Sequence, residues 1–198
     1  MVIKMNASFI KRLSAYAIDI ILVGAIIMLI YYFIPETKTV TNLQRNVAIL
    51  NENYLNKQIN TGEYINDYSI LMHNLDKERM ILIFINFIAI FSYFVVLPFF
   101  TKGKTLGKYI LGIKIKPSKE KLTIISLFIR NIIITGLGYL ILSLLSLLLI
   151  PKNLYFYAIT ILGIIQLALV IISTFMIIYR KDRRGLQDIL SKTTVVNK

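Results

Sequence analysis

The sequence predicts an all-α integral membrane protein with four transmembrane helices and both termini on the cytoplasmic side. Two observations carry the prediction: long apolar runs, and positive charge confined to the segments between alternate runs. Of 198 residues, 57% are hydrophobic, against roughly 45–50% in an ordinary soluble domain. The runs place spans at about 13–34, 81–100, 131–150 and 154–178. Each matches the ~20 apolar residues a helix needs to cross ~30 Å of hydrocarbon. They are continuous rather than alternating, which selects helices over barrel strands. So much apolar surface excludes disorder, and a chain without Cys excludes a disulfide scaffold.

The first run, Leu13–Ile34, holds one charge, Asp19. It is too long for a cleaved signal and no small-residue cleavage site follows, so it is expected to be retained as a span. Segment 35–80 is read as an outer loop. Leu43, Val47, Leu50 and Tyr54 follow a 4-3-4 spacing, Gly62 is expected to break the helix, and Ile65, Tyr68, Leu71 and Leu75 suggest a second one. A helical hairpin capping the outer face is the result. His73, the one His, reads as a loop residue, since no Cys or second His exists to complete a zinc site.

After the second run, segment 101–121 is punctuated by Gly103, Gly107 and Gly112. Its Gly-Lys-Thr lacks the strand and first glycine of a nucleotide-binding P-loop. A short amphipathic helix is expected to pass into a strand-like GIKIK. Leu122–Ile129 fits the interface, and the third span follows from Asn131. The turn Pro151–Asn153 makes spans three and four antiparallel neighbours. In the tail, Leu186, Ile189 and Leu190 share a helical face, and Thr193–Val196 is expected to pair with Gly112–Lys116 as a two-stranded cytoplasmic ribbon.

The formal charge of +13 is unevenly spread. Segments 1–12, 101–121 and 179–198 carry net charges of +3, +6 and +4, whereas segment 35–80 carries −1. This asymmetry puts the three basic segments in the cytoplasm of a cell-membrane protein. It also assigns the charge to the lipid bilayer rather than to nucleic acid, which is excluded as a partner.

Charges within the apolar runs are the candidate functional residues, because an unpaired charge in hydrocarbon is expensive. Asp19 lies roughly 9 Å into the first span at 1.5 Å per residue. Arg12 precedes it by two turns on the same helix face, with Tyr16 between them, so a link from Arg12 to Asp19 through Tyr16 or water is expected. Arg130 opens the third span beside Asn131. The chain uses 16 Lys and 7 Arg. Five of the arginines, Arg12, Arg130, Arg180, Arg183 and Arg184, stand at span ends. Arg12 and Arg130 are read as carboxylate partners, since a planar fork suits that pairing. Arg180, Arg183 and Arg184 are read as lipid anchors. Asn86, Ser92, Tyr93, Ser143, Ser146, Gln166 and Ser173 read as helix–helix glue. Nothing resembles a catalytic constellation, a metal site or a cofactor site, so no enzyme is expected.

Three motifs occur in order: Arg12-Leu13-Ser14-Ala15-Tyr16-Ala17-Ile18-Asp19, then Gly103-Lys104-Thr105-Leu106-Gly107-Lys108 with Leu111–Ile115, then Arg183-Arg184-Gly185-Leu186-Gln187-Asp188-Ile189-Leu190 with Thr193–Val196. Together they resemble the RDD family, small prokaryotic membrane proteins named for one arginine and two aspartates, over nearly the whole chain except the 35–80 loop. Arg12, Asp19 and Asp188 match the family's three residues, and Arg130-Asn131 resembles a family element opening the later span. Gln187 stands where many members have His. The resemblance implies one membrane domain over 1–198. It also implies transport, with Asp19 the carrier of a monovalent cation/proton antiporter, Arg12 or Arg130 stabilising its ionised form, and a homodimer supplying enough spans. The alternative it implies is a non-transporting accessory or scaffold that docks a partner such as a membrane peptidase or transporter.

Overall fold

In the computed structural model, residues 6–118 and 121–198 are described. Lys4 of the basic N-terminal segment, and Lys119 and Glu120 of the second basic segment, lie outside them. Among the described residues, three helices are long and apolar enough to cross a membrane: α1 (Phe9–Tyr32), α4 (Met80–Phe100), and Lys152–Tyr179, whose α-helical part is α8 (Tyr155–Tyr179). Their side chains are mostly exposed apolar groups, such as Ile21, Met28 and Leu167. That is how a helix facing lipid reads.

The third expected span is not one continuous helix over 131–150. It consists of α6 (Ile124–Ile134) and α7 (Leu137–Leu149), bent by 77°. The break falls at Gly136, which adopts φ +75°, and Thr135 ends α6 by bonding its hydroxyl to the Asn131 carbonyl at 2.8 Å. Glycine takes this left-handed conformation without the steric cost a Cβ would impose. The bend is needed because α6 carries the buried Arg130 and Asn131 towards the chain's C-terminal segment, whereas α7 runs to the opposite end of the bundle.

That opposite end is covered by a helical hairpin, α2 (Lys38–Leu55) and α3 (Thr61–Glu78). Gly62 does not break the helices; it lies in the first turn of α3, and the break is Asn56–Asn60. Asn60 caps α3 reciprocally with Glu63, satisfying otherwise orphaned backbone donors. Tyr54 and Tyr64 stack across the hairpin with ring centroids 4.4 Å apart. The Ser69 hydroxyl donates to the Lys152 carbonyl at 2.6 Å, and Tyr155 donates to Asp76 at 2.7 Å. His73 is helical and buried rather than in a loop, with Nε2 3.0 Å from the Leu147 carbonyl. The hairpin therefore seats on the α7–α8 turn.

The other end is knitted from three distant segments. Strand β1 (Ile113–Pro117) pairs antiparallel with β2 (Thr193–Asn197), with Ile115 opposite Val195. Asn6 bridges to Val196, and the Ala7 N–H donates to the Val195 carbonyl at 2.9 Å. Two five-residue helices feed these strands, α5 (Leu106–Ile110) and α9 (Leu186–Leu190). The buried core sits here, around Ala7, Ala15, Val95, Ile113, Ile115, Leu127, Leu137 and Val195.

Candidate functional site

Gly103 and Gly107 bring segment 101–111 against α1 and β1. Gly103 has φ +87°, and a Cβ there would lie 2.1 Å from the Ile115 carbonyl oxygen. A Cβ on Gly107 would lie 2.1 Å from the Ala15 carbonyl oxygen. Both positions need a residue without a side chain, because another backbone passes through the space. Between and beside them, Thr105 and Lys108 are delivered to the buried middle of α1.

Asp19 is fully buried there. Its Oδ1 accepts from Tyr93 Oη and from the Gly107 N–H, each at 2.7 Å. Its Oδ2 accepts from Thr105 Oγ1 at 2.5 Å. Lys108 Nζ lies 3.7 Å from Oδ2 and donates to Thr105 Oγ1 at 3.1 Å. The Leu106 N–H donates to Tyr93 Oη at 3.3 Å, so the tyrosine is fixed as well. A carboxylate deep in an apolar helix thus receives three donors and one cation.

Asp188 forms the second centre, also fully buried. Arg12 Nη1 donates to its Oδ2 at 2.5 Å. Arg130 Nη1 donates to its Oδ1 and also to Thr193 Oγ1, the latter at 3.1 Å. The Gly185 N–H adds a bond to Oδ2 at 3.1 Å. Arg12 continues to the carbonyls of Ala7 (Nε, 3.2 Å) and Val195 (Nη2, 3.3 Å). One carboxylate therefore ties together the start of α1, the end of α6, α9 and the two-stranded ribbon.

Burial alone would raise the Asp188 carboxyl, but Arg130 and Arg12 outweigh it and hold it below its ordinary value. Lys108 moves the other way: burial lowers its ammonium to about 8, only partly opposed by Asp19. A guanidinium stays charged at any physiological pH, whereas this lysine titrates close to it.

The expected link from Arg12 through Tyr16 to Asp19 is not formed. Arg12 turns to Asp188 instead, and Tyr16 donates to the Ile134 carbonyl at 2.8 Å. Nor does Arg130 reach Asp19. Sharing a helix face was a sound geometric reading, but the C-terminal segment supplies Arg12 with a closer carboxylate. Arg180 pairs with Asp182 at the surface, and Arg184 donates to the Asp188 carbonyl at 3.2 Å.

Asn131 holds α6 to α4. Phe94 sits within a π-helical turn, Ser92–Val96, and Pro98 follows four residues later. Proline has no N–H to give the Phe94 carbonyl, and Asn131 Nδ2 supplies that donor at 2.8 Å. Gln166 Nε2 likewise donates to the Ile133 carbonyl at 2.5 Å. Thr105 and Lys108 are the site residues the sequence reading did not single out, and Tyr93, read there as helix–helix glue, joins them at Asp19. Their signal was available: a threonine and a lysine between and beside two glycines, and a tyrosine inside an uncharged run.

A cavity of about 50 Å³ separates the two centres, with Arg12, Lys108, Arg130, Tyr16, Asn131 and Gln187 in its wall.

Long apolar helices, buried ion pairs where they meet, and a helical cap at one end define a multi-pass membrane protein. The family model described as RDD family matches residues 6–192, and the chain belongs to that family. Comparison with curated proteins and with solved structures returned no match.

Proposed function

We propose that this RDD-family protein is a transport-type protein of the cell membrane, exchanging a monovalent cation for protons at Asp19. The observation that carries the reading is the identity of the cation beside Asp19: a mostly buried lysine, Lys108, with Nζ 3.7 Å from Oδ2, rather than an arginine, and burial lowers its ammonium to about 8. A monovalent cation arriving at Asp19 meets the carboxylate and the Thr105 and Tyr93 hydroxyl oxygens. It displaces the Lys108 ammonium, which then gives its proton to water. One positive charge enters as one proton leaves. Departure of the cation lets Lys108 take up a proton again and re-form the pair. Asp188, held by two groups that do not release protons, anchors the scaffold around this exchange.

In this reading the basic ribbon end faces the cytoplasm, following the charge asymmetry, and two copies supply the spans that alternating access requires. Everted vesicles test it. Adding sodium or potassium should dissipate a preformed pH gradient with the native protein, and Asp19→Asn should abolish that response while expression is retained. Exchange that survives in the variant rules out Asp19 as the carrier.

One observation favours a second reading, a non-transporting accessory protein. The α2–α3 hairpin leaves Leu55 78% exposed and Ile49 half-exposed. A stoichiometric membrane partner recovered in mild detergent, together with no exchange by the native protein, would decide for it.

A further inference from the structure

The cavity between the two centres has a chemistry of its own. Its wall contains three cationic side chains, Arg12, Lys108 and Arg130. The carboxylates these groups touch are two, Asp19 and Asp188. All five groups are buried or nearly so; the arginine and lysine side chains are 6–13% exposed. One positive charge is therefore left over in a poorly hydrated interior, where an uncompensated charge is costly.

A hydrogen-bond donor is in surplus at the same place. Gln187 lines the cavity and is fully buried, yet its Nε2 has no partner. Arg130 gives its Nη1 to Asp188 and Thr193, so Gln187 Nε2 is the unmet buried donor of this wall. A buried donor without an acceptor costs about 1–3 kcal/mol. Excess positive charge and an unmet buried donor converge on one small space. The room, about 50 Å³, exceeds the roughly 10–15 Å³ that a single water needs on this measure, so it holds a monatomic ion together with water.

We propose that this cavity binds a small inorganic anion of the halide class, chloride being the obvious candidate, between Arg130, Lys108 and Gln187. The anion supplies the missing negative charge beside Arg130 and Lys108 and accepts from Gln187 Nε2. It acts as a structural counter-ion that draws the Asp188 and Asp19 centres together. The proposal does not depend on exchange at Asp19, because the charge surplus and the unmet donor exist whether or not the protein transports.

The test uses full-length protein purified in a non-ionic detergent. Chloride-35 line broadening is expected above that of empty micelles, with bromide competing. The thermal unfolding midpoint is expected to be about 3 °C higher in chloride than in gluconate at equal ionic strength, the size of a modest ligand linkage. Gln187→Glu places a carboxylate in the anion's position and should abolish both effects. Ile134→Phe fills the cavity from its apolar wall and should do the same without altering charge, so either variant decides if the other fails to fold. No broadening with the native protein overturns the proposal. So does broadening that persists in a folded variant, which would place the ion on surface lysines, and so does an unfolding midpoint indifferent to chloride, which would leave water in the cavity.

Discussion

Asp19 and Asp188 are both fully buried, and their surroundings divide the work. Asp188 is clamped by two arginines that anchor four chain segments, and its Coulomb partners cannot be neutralised. Asp19 is held by two hydroxyls and one backbone amide, with a single lysine at 3.7 Å. Neutral donors can turn to a neutral side chain or to water; guanidinium groups buried against a carboxylate have no such alternative. The comparison teaches that a buried carboxylate is a lock or an exchangeable site according to whether its partners can change state.

Breaking the lock should have the largest effect. Asp188→Asn leaves Arg12 and Arg130 buried without a counter-charge, and removing one partner of a buried pair costs about 3–5 kcal/mol. We expect failure to accumulate in the membrane, or loss of a cooperative unfolding transition in detergent. Asp19→Asn, whose Oδ1 can still accept from Tyr93 and Gly107, should fold with a much smaller loss. Equal losses in the two variants would dissolve the distinction between the centres.

Much of this arrangement was legible in the sequence, for a physical reason. Lipid allows a charge inside an apolar run only when something pairs with it, so Asp19, Arg130 and the span-edge Arg12 stood out as exceptions. The two-stranded ribbon was readable from alternation in Gly112–Lys116 and Thr193–Val196; the observed β1 starts one residue later, at Ile113. Partner choice was not readable. Arg12 to Asp188 spans 176 positions, and nothing local tells that the tail folds back under α1. The break at Gly136 was half readable: Gly136 and Gly138 allow close packing or a local break, but neither interrupts the hydropathy or the length of the run.

Next in size is Gly107→Ala. Its Cβ would stand 2.1 Å from the Ala15 carbonyl oxygen and 3.0 Å from Asp19 Oδ1, so α5 must retreat from α1. Overpacking of this kind costs roughly 1–3 kcal/mol. The displaced α5 carries Thr105 and Lys108 with it. Exchange should therefore fall along with stability, whereas the Asp188 lock, formed by other segments, should persist as a retained though earlier thermal transition.

Lys108 offers a sharper comparison through pH. Its ammonium is lowered from 10.5 to about 8 in the folded protein. Between those values the unfolded chain binds more protons than the folded one, so stability rises with pH across that window. Lys108→Met should flatten the rise, measured as unfolding midpoint against pH from 7 to 10. Asp188 contributes with the same sign of slope at acid pH: its carboxyl is held low, so its contribution is present at neutrality and lost as pH falls through the folded value. Lys108→Met should leave that acid limb unchanged, and a shift there would mean the two centres titrate as one.

The smallest expected effect comes from Tyr16, which separates the two centres along α1. Sharing a face with Arg12 and Asp19, it looks like a bridge between them. Its hydroxyl instead donates to the Ile134 carbonyl, a neutral bond that ties α1 to the end of α6 just before the bend. Tyr16→Phe removes that bond alone, at about 0.5–1.5 kcal/mol, and leaves both carboxylates with their partners. Cation-driven dissipation of the pH gradient should be unaltered, and the alkaline rise in stability should keep its position. A Tyr16→Phe protein that loses exchange while still folding would show that the hydroxyl relays protons between the centres, and that the lock and the exchange site are coupled through α1.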